Sequence, residues 1–463
     1  MSARKIDGKP RMGQKNPFKV KQGHWLWLWL GFTGVAMLSA TAGALVAVSL
    51  SSTPLLQSRL RPDEAAVFTK GGSISSNSSL RLPELTRPVN ILVLGTKVLA
   101  SDIPQGSTDK RAYELVNSFD GPTDTMLLLR FDPEAKRLAV LSIPRDTRTY
   151  IEGYGINKIN AANTLGGPAL SAKTVSELLE GVGIDRYVRV NVQGVQSLVD
   201  ALGGVTVYVP QDMKYQDDSQ HLYINLKQGK QHLNGEKALQ VLRFRYDKNG
   251  DIGRVQRQQL VMRALMEQAL NPATLTRLPK ILSVIQSHLD TNLTVEELVA
   301  LVGFGVQTNR SNMQMLMVPG DFNGDGRGDV SYWLPDNRRI QQMMAQYFDQ
   351  GYRDSRGVDP ENLRVVIQDS TGKPEAVQSL VKRLEDAGYR SISTGDTWRE
   401  PLRVTRIVAQ QGDGRSAVAI RSRLGFGEVR VESTGSLTSD ITIQLGQDWL
   451  QKQASSGKRL PSF

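Results

Sequence analysis

The chain has 463 residues, too many for one hydrophobic core and enough for two or three domains. It has no cysteine, which removes disulfides, thiol nucleophiles and Cys-based metal sites, and its four histidines form no His-x-x-x-His pattern. A net charge of +11 suggests nucleic acid at first, but seven bases against the single acid Asp7 fall in the first two dozen residues. More than half of the excess therefore belongs to a tail, 1–23, too short to carry a helix-turn-helix, and no nucleic-acid partner is expected.

Residues 24–50, HWLWLWLGFTGVAMLSATAGALVAVSL, hold no acidic or basic side chain apart from the flanking His24 and are long enough to span a bilayer. Trp25, Trp27 and Trp29 suit the headgroup level, and the lysines before them place the N-terminus in the cytoplasm and the remaining chain outside. The competing reading is a cleavable signal peptide, because Ala40-Thr41-Ala42 resembles a cleavage site; the apolar stretch is too long for one. The expectation is a single-pass anchor in the cell membrane. Residues 51–87, rich in Ser, Gly and Pro, read as a flexible stalk.

Order begins at Val89–Gly95, a continuous apolar run of the kind found in a strand buried on both faces. Strands are predicted over 125–131 and 138–143 around the Asp132-Pro133-Glu134 turn, and over 187–190, 205–209 and 313–318. Helices are predicted over 168–180, 195–202 (stopping at Gly203-Gly204) and 252–270, and from a Thr294–Glu297 capping box to Val306. Strands interleaved with helices predict an α/β/α sandwich with a central mixed sheet over 88–350. A smaller α/β domain follows over 361–449, with binding or spacing as its role, and 450–463 remain as a tail.

The run 233–259, LNGEKALQVLRFRYDKNGDIGRVQRQQ, crowds Arg243, Arg245, Arg254 and Arg257 around Asp251. On a strand, Arg243 and Arg245 project from one face; on the following helix, Arg254 and Gln258 share a face. Planar guanidinium groups grip phosphate oxygens in pairs, so this density points to a polyphosphate ligand, with a solvated basic face as the bland alternative.

Six segments, Leu141–Thr147 (LSIPRDT), Lys158–Ala162 (KINAA), Asp200–Val205 (DALGGV), Leu233–Leu239 (LNGEKAL), Arg243-Phe244-Arg245 and Asp251–Gln258 (DIGRVQRQ), resemble the LytR-CpsA-Psr (LCP) domain in order and spacing. The region 361–449 is similar, more weakly, to the LytR C-terminal domain through LRVVIQDSTG and SDITIQLGQDW. The resemblance implies an enzyme that moves a glycopolymer from a polyprenyl-pyrophosphate carrier to peptidoglycan by phosphoryl transfer, assisted by Mg²⁺. Such chemistry needs positioned cations more than a covalent nucleophile.

On that reading Arg145, Arg243, Arg245 and Arg254 clamp phosphates, Lys158, Arg257 and Gln258 are further pocket positions, and Asp124 binds the metal. Asp251 orients Arg254 or acts as a base, the first being favoured because a carboxylate among arginines is a weak base. Two departures stand out. Where the family has Leu-Gly-x-Asp this chain reads Leu94-Gly95-Thr96-Lys97, and where it has Arg-x-Asp-Thr this chain reads Pro122-Thr123-Asp124-Thr125. Asp102 is then the substitute metal carboxylate, and Lys97 a phosphate contact or a plain structural lysine. The isoprenoid needs an apolar channel, for which helices between Val255 and Ala300 are candidates. Alternatives are a pyrophosphate hydrolase and a catalytically silent wall-binding protein, the latter suggested by the two departures. Asp321–Asp329 imitates a calcium loop, but Tyr332 stands where the bidentate glutamate belongs, so a Gly/Asp turn is favoured. His232 and His288 read as packing or surface residues.

Overall fold

The computed structural model describes residues 55, 57, 59–68, 72–76, 83–96, 119–218, 222–244, 250–309, 312–323, 331–351, 359–436 and 438–457. The expected tail 1–23 and membrane span 24–50 lie outside them, and among the described residues no helix is long and apolar enough to cross a membrane.

In chain order the head comprises α1 (Pro62–Ala66), β1 (Val89–Thr96), β2 (Thr123–Asp132), β3 (Arg137–Ile143), the hairpin β4 (Arg148–Ile151) and β5 (Gly155–Lys158), α2 (Ala161–Leu178) and β6 (Arg186–Asn191). Then come α3 (Val192–Leu202), β7 (Val205–Val209), β8 (Met213–Asp217), β9 (Leu222–Leu226), β10 (Gly229–Leu233), α4 (Gly235–Arg243) and α5 (Gly250–Ala269). The head closes with α6 (Leu278–His288), β11 (Leu289–Thr291), α7 (Val295–Gln307), β12 (Met313–Met317), β13 (Gly320–Asn323), β14 (Tyr332–Pro335) and α8 (Asn337–Tyr347).

Six strands form the central sheet in the order β11-β6-β1-β2-β3-β12. Pairing is parallel at β6/β1 and β3/β12 and antiparallel elsewhere, so the sheet is mixed, as expected. Because strand side chains alternate, Leu92, Leu94, Leu128 and Leu141 turn to one face, where they pack with Ala172 and Val175 of α2 and with Ile340 and Met344 of α8. Val93, Leu127 and Val188 turn to the other, opposite α3 and α5. Helices thus cover both faces. α2 breaks at Gly166 and Gly167, the latter with φ 62°, and restarts at Pro168, where the missing N–H costs nothing. The Thr294 capping box forms, and Glu297 also takes both arms of Arg186, at 3.0 and 2.6 Å.

The stretch read as a flexible stalk is folded onto the head in its described part. Phe68 and Ile74 are buried, the Phe68 ring lies 5.2 Å from that of Tyr187, and Ser75–Ser76 pairs with Glu84–Leu85. Isolated apolar residues in a Ser/Gly-rich stretch carry no period, yet each is worth about 1.5–3 kcal/mol once buried.

Asp290 of β11 faces Arg189 of β6 across the sheet, Oδ2 to Nε 2.6 Å, with both side chains nearly fully buried. Without Asp290, the buried Arg189 is left with the solvent-exposed Asp120, 3.3 Å away, as its charge partner, a poor substitute for a buried carboxylate. Asp290→Ala is therefore expected to lose about 3–5 kcal/mol of stability, read as a lower midpoint in thermal unfolding; a midpoint matching the unsubstituted chain would refute this.

The second domain continues with β15 (Arg364–Asp369), α9 (Pro374–Asp386), β16 (Ser391–Thr394), β17 (Arg406–Ala409), α10 (Gly414–Leu424), β18 (Glu428–Val431), β19 (Ile441–Leu445) and α11 (Gln447–Gly457). Its sheet runs β16-β15-β19-β17-β18 and packs one face on α9, α10 and α11 through Leu380, Ile420 and Trp449. α11 occupies part of the expected 450–463 tail; buried Trp449, donating its Nε1–H to the Ala376 carbonyl at 2.9 Å, holds it.

Candidate active site

β3 ends at Ile143 because Pro144 cannot donate to the ladder, and Pro144–Thr147 forms a tight turn. The Thr147 N–H and hydroxyl both donate to the Pro144 carbonyl, at 3.0 and 2.6 Å, and the Asn160 N–H reaches back to the Arg145 carbonyl at 3.2 Å. On the other side the Trp333 N–H donates to the Asp146 carbonyl at 2.9 Å. The backbone under Arg145 is thereby fixed from two directions.

Arg145 Nη1 lies 2.6 Å from Asp124 Oδ1, at the start of β2, and its Nε 3.3 Å from Asp146 Oδ2. Asp146 Oδ1 in turn accepts from Lys158 Nζ at 2.7 Å, and that ammonium sits 5.6 Å from the centre of the Tyr332 ring. Burial would lower the Arg145 pKa, but the hydrogen bond and charge of Asp124, then the charge of Asp146, outweigh it and hold the guanidinium above its ordinary value. Two cations and two carboxylates form one continuous, half-buried network.

This network stands at the mouth of a cavity of about 300 Å³ between the second face of the sheet and helices α3 and α5. Its walls are mostly apolar, with Val93, Leu127 and Val190 on the sheet side, Leu198 on α3, and Met262 and Met266 on α5, interrupted by Ser142 and Gln259. Asp124, Arg145, Asp146 and Gln258 supply the polar rim. A greasy chamber ending in a fixed guanidinium suits a ligand with a hydrocarbon body and an anionic head.

Four of the expected site residues thus meet: Arg145 and Asp124 in direct contact, Lys158 through Asp146, and Gln258 on the cavity rim. Arg243 is not on a strand, which corrects that expectation. It ends α4, directly after Leu242, which lines the cavity. The apolar positions Ala238, Val241 and Phe244 recur every three residues, and Asn234 caps the helix by accepting from the Lys237 N–H at 3.0 Å. Gly235 is required there: a Cβ would stand 2.2 Å from the Gln196 carbonyl of α3, and its N–H donates to Asp200 Oδ1 at 2.8 Å. The Asp200–Val205 and Leu233–Leu239 motifs therefore lock α4 onto α3.

Arg257 is buried away from the rim, with Nη2 donating to the Phe244 carbonyl at 2.5 Å and the guanidinium 5.7 Å from that ring's centre. Burial pushes it down to about 10, so it stays cationic at neutral pH as a tie across the α4–α5 connection. Arg245, Lys97 and Asp102 lie outside the described residues, as do the side chains of Asp251 and Arg254 in the first turns of α5.

Sequence reasoning missed Asp146, which joins Arg145 to Lys158, although it stands in the same Pro-Arg-Asp-Thr turn. It also missed Gln259, whose Nε2 donates to Ser142 Oγ at 2.8 Å on the cavity wall. His232 bonds the Gly203 carbonyl and Thr206 hydroxyl, a packing role. The flanks of the calcium-like loop pair as the hairpin β13/β14, while 324–330 lie outside the described residues. Among the described residues no three His, Asp or Glu groups gather into a metal cage. Asp124 and Asp146, each held by a different nitrogen of Arg145, are the carboxylates present, which fits a Mg²⁺ ion that takes one or two carboxylates and completes its shell with water and phosphate oxygens.

The model of the LytR_cpsA_psr family matches residues 62–349, and that described as LytR cell envelope-related transcriptional attenuator matches 362–449. A Bacillus cereus protein named polyisoprenyl-teichoic acid–peptidoglycan teichoic acid transferase TagU is 32% identical over 315 residues, covering 66% of this chain and 91% of that protein. The Staphylococcus aureus regulatory protein MsrR is 33% identical over 234 residues, covering 50% of this chain and 64% of that protein. Among solved structures, B. subtilis TagV is similar at a TM-score of 0.47 and 28% identity, covering 57% of this chain and 99% of that one. From the two family matches, which together take in most of the chain, and from the extent of the Bacillus cereus relative, the chain belongs to the LytR-CpsA-Psr family.

Proposed function

We propose that the chain is a transferase that moves a glycopolymer from a polyprenyl-pyrophosphate carrier to peptidoglycan. The observation that carries this reading is the apolar cavity whose rim holds Arg145 in contact with Asp124 and Asp146. The isoprenoid occupies the cavity and the pyrophosphate meets the guanidinium, with Lys158 and Gln258 alongside and Arg243, Arg245 and Arg254 as further phosphate contacts. The name of the Bacillus cereus relative supports the same donor and acceptor classes.

An acceptor hydroxyl oxygen forms a bond to the phosphorus on the glycopolymer side, the bond from that phosphorus to the bridging oxygen breaks, and polyprenyl phosphate departs. The hydroxyl proton passes to a base. Arg145, permanently cationic and oriented by its two carboxylates, stabilises the charge that spreads over the phosphoryl oxygens. Mg²⁺ held at Asp124 would add neutralisation of that charge. Residues 24–50 would anchor the chain as a single-pass membrane protein with its N-terminus in the cytoplasm, keeping the head on the side where carrier and wall meet.

The test supplies the purified full chain with lipid-linked donor, with and without peptidoglycan. Attachment of polymer only when acceptor is present is the expected result. Release of polymer at equal rate without acceptor makes the chain a pyrophosphate hydrolase, and no turnover in either arm leaves a wall-binding protein.

A further inference from the structure

Helix α5 is a partition. Val261, Met262, Leu265 and Met266 face the apolar cavity, while Leu260, Arg263, Ala264 and Glu267 face a second space of about 870 Å³ between the head and the C-terminal domain. The helical period sorts the two sets onto opposite sides. The C-terminal domain touches this partition at Arg263, whose Nη1 lies 2.9 Å from Glu432 Oε2, and at Gln256, whose Nε2 donates to the Gly435 carbonyl at 3.1 Å. Both Arg263 and Glu432 have little solvent access. Burial would lower the Arg263 pKa, but Glu432, then Glu267, outweigh it and hold the guanidinium above its ordinary value.

Glu432 also has a second grip. Its backbone forms a parallel bridge with Met315 of β12, the edge strand of the head's sheet, and Met317 of that strand lines the cavity. One residue of the C-terminal domain is therefore fixed by its backbone to one cavity wall and by its carboxylate to the opposite wall. Tyr347, donating to the Gly412 carbonyl at 2.6 Å, holds the same domain to α8.

We infer that the C-terminal domain is a clamp on the lipid cavity, with Glu432 and Arg263 as positioning residues that set the distance between α5 and the sheet. The inference deepens the function proposed above and rests on it for the identity of the ligand. A clamp acts on occupancy of the cavity rather than on phosphoryl chemistry. Glu432→Gln, which keeps the shape and removes the charge, is expected to weaken binding of the carrier and leave kcat close to that of the unsubstituted chain. Coupling across such a contact corresponds to about a twofold to thirtyfold change.

The experiment measures binding of polyprenyl phosphate to the full chain in detergent by native mass spectrometry, KM and kcat for the lipid-linked donor, and amide hydrogen exchange along α5. Weaker binding, a raised KM and faster exchange over 258–269 in Glu432→Gln, with Glu432→Asp close to the unsubstituted chain, is the expected pattern. Glu432→Gln matching the unsubstituted chain in binding and exchange overturns the clamp, as does a fall in kcat at unchanged KM. If the unsubstituted chain retains no polyprenyl phosphate, the proposed function fails, and exchange along α5 decides the clamp by itself: faster exchange supports it and unchanged exchange overturns it.

Discussion

Arg145→Ala is expected to reduce glycopolymer transfer by about 10²–10³-fold while circular dichroism and the thermal midpoint stay near those of the unsubstituted chain. The side chain is more than a quarter exposed, so its loss leaves space open to solvent and not a sealed void. Its removal takes away the cation at the end of the greasy chamber and the partner that holds Asp124 in place. Arg145→Lys tests geometry against charge: an ammonium keeps the charge but cannot bridge Asp124 and Asp146 while meeting a phosphate, so most of the loss should persist. Transfer within a few-fold of the unsubstituted chain in both variants would remove Arg145 from the phosphate site. Arg243→Ala and Arg245→Ala are expected to act in the same direction.

Met266→Trp is expected to abolish binding of the lipid carrier without destabilising the fold. Met266 lines the cavity from α5, and an indole directed into a space of about 300 Å³ occupies a large part of it. Filling a pre-existing void adds dispersion contacts instead of forcing apart a packed core, so the thermal midpoint should hold or rise. Carrier binding by native mass spectrometry should fall below detection, and transfer should fall with it. Undiminished binding would mean that the hydrocarbon lies elsewhere. The two variants separate head group from tail: Arg145→Ala spares the chamber, and Met266→Trp spares the rim.

Much of the architecture was legible because its signals are local. Val89–Gly95, the turn at Asp132-Pro133-Glu134, the Thr294 capping box and the stop at Gly203 each state their own conformation within a few residues, and each stands where expected. The errors arose where the same pattern satisfies two periods. Leu242 to Arg245 alternates as a strand does, yet Ala238, Val241 and Phe244 satisfy a helix equally well, and the Asn234 cap and the Gly235 approach to α3 decide the matter. Phe68 and Ile74 were hidden for another reason: a lone apolar residue in a Ser/Gly-rich stretch reveals its burial only when its distant partner is known. The motifs single out Arg145, Asp124 and Lys158, which lie in one network, whereas the place of Asp146 between them depends on a turn closing over a hairpin. The contact of Arg263 with Glu432 links positions 169 residues apart, and no spacing in the chain announces it.

The two rims of the head's sheet have a bearing on how copies of the chain meet one another. On one side the sheet ends in β11, only three residues long, and on the other in β12, against which Glu432 already lies. A neighbouring molecule seeking to extend the sheet finds too few open amides on the first rim and an occupied ledge on the second. Chains held at high local density are thereby discouraged from zipping together edge to edge.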